Sequence, residues 1–498
     1  MKQKSLSQYN ELYNSLSNYD KELLDSFFID VNTRFILNKK DKDNIILDYK
    51  KIIAYFLSNN YEVLHIIEIL DLSRIGGFYA RDTEAYFPLD DGAKIYPLAM
   101  HHGKMSVFRL AVNLSDFIIP EVLQIALTYT IKRFPSFATT LKNGFFWHYL
   151  DSNKRRYIIE EEIDIPCTAI KVSRSRSQTF RVLYYQNRIS VEFFHVLTDG
   201  NGGMIFLKAL VVEYLRLLGL KYKELDFSID ASLTPVAQEV CNEFLNIKSN
   251  NLPSGFLDKP ATKLNGKLSK NNPCRVIHFK MATDKLKEVS RGYNCTITAY
   301  FLTLIMLASL ASTDTLENEF SIQVPVNMRK FYPSKTVRNF VLYCGVRVPV
   351  KEISYSKELF MRIDHELKEK SSYDAMDRMV ASTKRIIRSL RFIPLIIKRP
   401  ITKLVYRYFS DDIFTTIFSN LGDIKFPSEV LPYIKSLDFA LGTSFYNRVS
   451  CSAVTVNNVT SFTIVKHTLD PSFEEEMYRL LANDSLEILV EGSDIYED

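Results

Sequence analysis

Cysteine is scarce in this chain of 498 residues, and its distribution excludes two common kinds of scaffold. No Cys-x-x-Cys pair occurs, so the sequence indicates neither a disulfide framework nor a zinc site. The six cysteines are Cys167, Cys241, Cys274, Cys295, Cys344 and Cys451. Scattered reduced thiols are typical of the cytoplasm, and we therefore expect a cytoplasmic protein without a bound metal.

Long apolar runs and a strong charge of one sign are also missing. No run of about 18 apolar residues occurs, and residues 300–311, the longest candidate, are predicted to form a buried helix rather than a membrane span. The polar start of the chain lacks the apolar region of a signal peptide. The formal net charge of +5 is too small to predict a nucleic-acid partner.

The chain is rich in apolar residues, and the spacing of these residues differs from one segment to the next. Hydrophobic residues make up 46% of the sequence, which suits about two to four domains' worth of structure. Residues 1–82 carry apolar residues at spacings of three and four and are predicted to form a helical extension. A linker rich in proline, asparagine and serine, residues 246–273, separates a first half, residues 83–245, from a second half, residues 274–498.

One stretch near the middle of the chain combines a strand, a histidine and a helix. Residues 188–194 alternate apolar and polar side chains, which predicts a strand that runs into His195. Asp199 and Gly200 follow in a His-x-x-x-Asp-Gly pattern, and over residues 204–218 the apolar side chains recur at helical spacing. Because histidine titrates near neutral pH, His195 at the mouth of a strand is a candidate general base.

Two other interpretations of this stretch stay open. A histidine near the end of a strand is often a packed or capping residue without a chemical role. The Gly-x-Gly-Gly run at residues 200–203 precedes a helix N-terminus, which is a place where phosphate binds. However, the run lacks the Gly-x-Gly-x-x-Gly spacing, no Gly-Lys-Ser/Thr follows it, and a histidine before the glycines has no role in such a motif.

The segment His195-Val-Leu-Thr-Asp199-Gly200, at the end of an apolar strand, resembles the signature of the chloramphenicol-acetyltransferase-like superfamily. Its members are CoA-dependent acyltransferases, among them alcohol acetyltransferases and the plant BAHD enzymes, together with the condensation domains of peptide synthetases. The resemblance covers about residues 85–485. It implies an α/β (α+β) fold of two lobes, each a mixed β-sheet flanked by helices, with a tunnel between them that holds His195 midway.

The same resemblance assigns roles to residues of the second half. Pro325-Val-Asn-Met-Arg329 is similar to the family segment whose arginine forms a salt bridge with the aspartate of the histidine motif, here Asp199. Asn339 and the phenylalanine after it resemble the family's Asn-Phe at the start of the next strand. In related enzymes that neighbourhood lies near the acceptor channel.

Two further family segments lie toward the C-terminus, and both depart from the plant pattern. Ser419-Asn420-Leu421-Gly422 places a hydroxyl where BAHD enzymes have Thr/Ser-x-Trp, with leucine instead of tryptophan. Asp438 and Gly442 match the ends of Asp-Phe-Gly-Trp-Gly, although the two middle residues are Ala-Leu. We therefore treat Ser419, Asn420 and Asn339 as candidate oxyanion or acceptor groups, and Asp438 and Gly442 as supporting residues of the motif.

A basic stretch, residues 378–410, contains no acidic residue. Apolar residues alternate with its nine cationic residues, which are Arg378, Lys384, Arg385, Arg388, Arg391, Lys398, Arg399, Lys403 and Arg407. Such a stretch suits peripheral contact with an anionic membrane or with an acidic carrier protein, and it can also attract the phosphates of CoA. A solvated pair of helices with one buried face explains the same pattern.

The function implied by the resemblance is transfer of an acyl group, most simply acetyl, from a CoA thioester to the hydroxyl of a small-molecule acceptor. His195 is the expected general base, acyl-CoA is a co-substrate, and neither a bound cofactor nor a metal is expected. Two alternatives are a condensation catalyst that uses a carrier-protein thioester and a non-catalytic relative that binds a ligand in the tunnel. Phe194 stands where condensation domains have a second histidine, which favours the CoA-dependent reaction.

Overall fold

The computed structural model describes residues 2–80, 86–100, 105–172, 178–249, 259–271, 273–406, 413–442 and 447–493. The chain begins with four helices, α1 (Lys2–Ser15), α2 (Asn18–Arg34), α3 (Lys39–Ser58) and α4 (Val63–Ile69). Ser17 and Asn38 cap α2 and α3, each accepting from a backbone N–H of the first turn. The buried faces of these helices belong to the apolar core of the first half, so the predicted helical extension packs on that half.

Helices and two sheets make up the first half of the chain. Its helices are α5 (Tyr96–Ala99), α6 (Pro120–Thr130) and α7 (Gly200–Leu217). A small antiparallel sheet has the order β1-β4-β3, with β1 (Tyr86–Pro88), β3 (Thr139–Asn143) and β4 (His148–Ser152). The larger sheet has the order β12-β2-β7-β6-β5, with β2 (Val107–Leu114), β5 (Ile159–Glu161), β6 (Phe180–Tyr185), β7 (Arg188–Phe194) and β12 (Ile434–Leu441).

A mixed sheet of seven strands organises the second half, in the order β10-β9-β11-β13-β14-β8-β15. The strands are β8 (Arg275–Ala282), β9 (Glu319–Asn327), β10 (Val341–Pro349), β11 (Thr416–Asp423), β13 (Val449–Val456), β14 (Val459–Lys466) and β15 (Leu489–Gly492). Its helices are α8 (Thr283–Gly292), α9 (Ile297–Ala311), α10 (Lys357–Lys370), α11 (Tyr373–Ser389), α12 (Leu395–Tyr406) and α13 (Ser472–Asn483). Strand β11 is parallel to both of its neighbours. Two lobes, each a mixed sheet with helices, confirm the predicted fold class.

The second half of the chain contributes one strand to the sheet of the first half. Strand β12 pairs antiparallel with β2, from Ile434 opposite Leu114 to Leu441 opposite Phe108. Most of its side chains are buried, because it lies between β2 and the strands β13 and β14. The predicted segment 274–498 is therefore not a lobe by itself, since residues 434–441 complete the other lobe.

Among the described residues, no single helix has the length and apolar content needed to cross a membrane. Helices α8 and α9 meet those requirements only as a pair, and the pair is bent by 76°. Helix α9 is also buried along most of its length within the core of the second lobe.

Candidate active site

The end of β7 positions His195. Strand β7 lies at the centre of the five-stranded sheet between β2 and β6. Beyond the last strand residue, the backbone N–H of His195 donates to Ser106 O at 2.8 Å. Asp199 then starts α7 as its N-cap, and its Oδ1 accepts from Gly202 N at 2.9 Å. The histidine therefore lies on a short connection whose two ends are held by a sheet and by a capped helix.

The glycines at the start of α7 allow the second lobe to approach the helix closely. A Cβ at Gly202 would lie 2.0 Å from Val337 O and 2.3 Å from Thr198 Oγ1, so no side chain fits there. A Cβ at Gly200 would meet only Leu421 Cδ2 at 2.8 Å, and that end of a flexible side chain can move. Gly202 is therefore the position where close packing between the lobes requires glycine, a role that the sequence pattern does not single out.

Aromatic rings and one amide surround the imidazole of His195. Tyr96 stacks on it, with ring centroids 4.5 Å apart and planes inclined by 21°. Phe108 meets it edge-on at 5.1 Å. Asn339 Oδ1 lies 2.9 Å from His195 Nδ1. The residue as a whole is only partly buried.

This arrangement selects one tautomer of His195. With the amide oxygen of Asn339 as the partner, Nδ1 carries the proton and donates it, which leaves the lone pair on Nε2 free. Burial lowers the pKa of His195, although a backbone hydrogen bond, the charge of Asp199 and the contact with Asn339 oppose the shift. The imidazole is therefore neutral at neutral pH, with a basic nitrogen that no protein group occupies among the described residues.

The structure brings Asp199 and Arg329 together across the two lobes. Arg329 Nη1 donates to Asp199 Oδ2 at 2.8 Å, and the same carboxylate oxygen accepts from Phe340 N at 2.7 Å. The remaining guanidinium nitrogens of Arg329 donate to the carbonyl oxygens of Thr336, at 3.1 and 2.8 Å, and of Arg338, at 2.7 Å. This ion pair therefore fixes both the loop after His195 and the segment that carries Asn339.

Asn339, a candidate oxyanion or acceptor group, also orients the candidate base. Its amide oxygen contacts the imidazole of His195, which makes it a positioning residue for the base. Its Nδ2 is buried and has no hydrogen-bond partner among the described residues. The contact spans 144 positions of sequence and joins the lobes, so no local pattern could have revealed it.

The two candidates on β11 differ in their surroundings. Asn420 Nδ2 donates to Thr298 Oγ1 at 3.1 Å, and Asn420 Oδ1 accepts from Gly422 N at 2.8 Å, so both ends of this amide are occupied. Leu421 lies beside Gly200, and the pairing of β11 with β13 is irregular between Asn420 and Asp423, so Leu421 does not fix the direction of Ser419. Ser419 is buried, and among the described residues no hydrogen bond joins it to His195.

Asp438, a supporting residue of the C-terminal motif, lies where strand β12 of one lobe meets strand β8 of the other. Asp438 on β12 is buried and lies 2.7 Å from Asn113 Nδ2, 3.3 Å from Lys280 Nζ and 4.0 Å from His278 Nδ1. Although burial opposes it, these neighbours lower the pKa of Asp438 to about 2. It does not touch His195 in the described structure.

Gly442, the other supporting residue, lies directly against the strand next to the base. Its N donates to Val107 O at 2.9 Å, and a Cβ there would lie 2.3 Å from that oxygen. Val107 in turn faces Phe194, the residue before His195. A side chain at Gly442 would therefore displace β2 beside the candidate base.

A second ion pair, which the sequence pattern did not suggest, joins the segments on either side of His195. Asp90 Oδ2 lies 3.3 Å from Arg338 Nε, and Arg338 also donates to Pro88 O. Burial raises the pKa of Asp90 to about 6, against the charge of Arg338. The pair links the segment that leads to Tyr96 with the residue that precedes Asn339.

A cavity of about 750 Å³ lies along strands β1 and β4. It is lined by Tyr86, Pro88, Leu89, Lys94, Trp147, His148, Tyr149, Asp151 and Ser152. Lys94 is two residues from Tyr96, so their Cα atoms are at most about 7 Å apart. His195 is not part of its lining, and the tunnel through the molecule stays a prediction. No group of three or more metal-ligating side chains occurs within the described ranges.

The architecture matches that of solved acyltransferases and condensation domains. F. sporotrichioides TRI101 complexed with coenzyme A and T-2 aligns with a TM-score of 0.57 and 11% identity over 81% of this chain and 99% of its own. The trichothecene 15-O-acetyltransferase TRI3 from Fusarium sporotrichioides gives 0.51 and 12%, over 80% and 94%. The condensation domain of the monacolin K polyketide synthase MokA gives 0.50 and 13%, over 80% and 98%.

The chain has the chloramphenicol-acetyltransferase-like fold. The resemblance noted in the sequence is thereby confirmed at the level of the fold, which at these identities is what the similarity shows. No protein-family model matches the sequence, and a search of curated proteins finds no match. In a chain with this fold, any chemistry must come from the geometry around His195.

Proposed function

We propose that the chain is an acyltransferase that moves an acyl group, most simply acetyl, from a CoA thioester to the hydroxyl of an acceptor. The observation that carries the proposal is the hydrogen bond of His195 Nδ1 to Asn339, which leaves Nε2 as a free base at the end of β7. The similar structure that contains coenzyme A supports CoA as the thiol carrier.

In the proposed reaction, the acceptor hydroxyl gives its proton to His195 Nε2 while its oxygen attacks the thioester carbonyl carbon. The C–O bond forms, and the carbonyl electrons move onto the oxygen of a tetrahedral intermediate. Ser419, the hydroxyl residue of the family-like segment on β11, is the candidate donor to this oxyanion. The C–S bond then breaks, and the imidazolium returns the proton to the departing thiolate.

The cavity along β1 and β4 is proposed as the place where the acceptor enters, since Lys94 in its lining is two residues from Tyr96, which stacks on His195. Its lining includes the aromatic side chains of Tyr86, Trp147 and Tyr149 and four polar residues, so it suits a molecule with apolar surface and a few polar groups. Burial, followed by the charges of Arg399 and Lys398, lowers the pKa of His148 to about 4, so this side chain is neutral in the cavity.

A carrier-protein thioester is the second candidate donor, and the similarity to a condensation domain is the observation that favours it. Release of free thiol, measured with DTNB, separates the candidates. We expect thiol release from acetyl-CoA that depends on an added alcohol. Turnover only with an acyl carrier protein would replace CoA by that donor, and no turnover with either donor across a panel of alcohols and amines would contradict the proposed activity.

The pH dependence of the reaction is a direct consequence of the burial of His195. Only the neutral imidazole accepts a proton, and its lowered pKa keeps it neutral below the usual value of about 6.5. We therefore expect kcat/KM to stay constant on lowering the pH past 6.5 and to fall only at more acidic values. An acidic limb with an apparent pKa above about 6.5 would contradict this account of the base.

A further inference from the structure

Two segments far apart in sequence meet in one exposed surface. The first is the turn between β3 and β4, residues 144–147, and the second runs from the end of α11 into α12, residues 385–399. Leu395 N donates to Phe145 O at 2.8 Å, so backbone atoms join the two segments. We call the exposed side chains of these two segments the docking surface.

The docking surface presents large apolar side chains to solvent. Phe145, Phe392 and Ile396 are 72%, 75% and 82% exposed, and Ile397 is 50% exposed. Phe146 packs edge-on against Phe392 at 6.3 Å, which connects the apolar residues of the two segments. Such residues are common singly on a surface, whereas a contiguous group of this size indicates an interaction site.

Cationic side chains surround these apolar residues. Arg385, Arg388, Arg391 and Arg399 are exposed, and no acidic residue occurs between residues 378 and 410. The guanidinium of Arg391 lies 5.3 Å from the ring of Phe392, so charge and apolar surface adjoin directly. A partner for this surface must therefore carry negative charge that pairs with the arginines. It must also have an apolar layer into which aromatic and branched side chains can insert.

We propose that the docking surface binds anionic lipid bilayers. The arginines contact lipid phosphates and carboxylates, while Phe145, Phe392 and Ile396 enter the boundary between headgroups and acyl chains. An acidic carrier protein would pair with the arginines. A bilayer does so too, and it also provides an apolar layer for Phe145, Phe392 and Ile396, which are 72%, 75% and 82% exposed. The inference does not depend on acyl transfer, since it concerns a surface outside the site of His195.

The docking surface also adjoins the cavity along β1 and β4. Trp147, the last residue of the β3–β4 turn, lines that cavity, and Lys398 Nζ lies 3.3 Å from the centroid of its indole. A docked molecule would therefore hold the cavity beside the bilayer, where a lipid-dissolved acceptor is concentrated. This consequence for the acceptor rests on the proposed function, whereas binding to vesicles is measured without turnover.

The test is co-sedimentation of the full chain with vesicles of two parts phosphatidylcholine and one part phosphatidylserine. We expect binding to these vesicles and none to pure phosphatidylcholine. Each neutralised arginine weakens electrostatic attraction about fivefold, so R385Q/R388Q/R391Q should bind about 100-fold more weakly. F392D/I396D should lose at least about tenfold because the apolar side chains no longer insert.

Two matched controls separate the docking surface from general properties of the chain. K285Q/K287Q/R291Q removes three exposed charges from α8, which packs on α9 and β8, and should bind as the parent does. F117D/I163D changes residues that are 74% and 89% exposed elsewhere on the first lobe, and it should also bind normally. Absence of vesicle binding, binding that F392D/I396D retains, or capture by an acyl carrier protein alone would each overturn the inference.

Discussion

Replacement of His195 by alanine is expected to lower kcat of acyl transfer by about 10²- to 10⁴-fold, the range that a positioned general base contributes. The reason is that Nε2 of His195 is the basic nitrogen left free once Nδ1 is hydrogen-bonded to Asn339. Thiol release from acetyl-CoA at saturating alcohol measures the loss. His195→Gln should lose a similar factor, because its amide can still donate to Asn339 but has no basic nitrogen.

Two further variants show whether a loss of turnover comes from the missing base at position 195. His65→Ala changes a histidine with a 57% exposed side chain on α4 and should leave kcat unchanged. His195→Gln should keep the urea midpoint close to that of the parent, because a side chain of similar size remains between Tyr96 and Phe108. A folded His195→Gln variant that retains full turnover would exclude the proposed mechanism.

The parts of the site that follow from local pattern were predictable from sequence. The alternation along 188–194 defines β7, and the change to helical spacing defines α7, because each pattern extends over several residues of one element. Asp199 stands at the junction and caps the helix, a position that aspartate favours. The placing of His195 at the end of β7 follows from these neighbours alone.

The parts that depend on contacts between lobes were not predictable in this way. Tyr96 stacks on His195 because α5 folds back over the end of β7, and nothing in the sequence around Tyr96 indicates that approach. The surroundings of Asn420 depend on Thr298, which is 122 positions away in the sequence and which only the fold brings next to it. Strand β12 joins the sheet of the other lobe by pairing with the edge of β2. No local property of residues 434–441 predicts that pairing.

Removal of the Asp199–Arg329 ion pair is expected to damage stability and activity together. Arg329→Ala leaves a carboxylate buried without its cation, which typically costs about 3–5 kcal/mol in the free energy of unfolding. Asp199→Asn should cost less, because asparagine still caps α7 by accepting from Gly202. Urea unfolding of both variants measures these differences.

Activity should fall even where the variants stay folded. Arg329 donates to the carbonyl oxygen of Arg338, and Asp199 accepts from the N–H of Phe340, so the ion pair fixes the backbone on either side of Asn339. Loss of these bonds moves the group that fixes the tautomer of His195, so kcat should fall more than KM rises. The double variant should be less destabilised than the sum of the single changes, since it removes both charges at once. Additive changes in stability, or an unchanged urea midpoint in both single variants, would show that this ion pair does not join the lobes energetically.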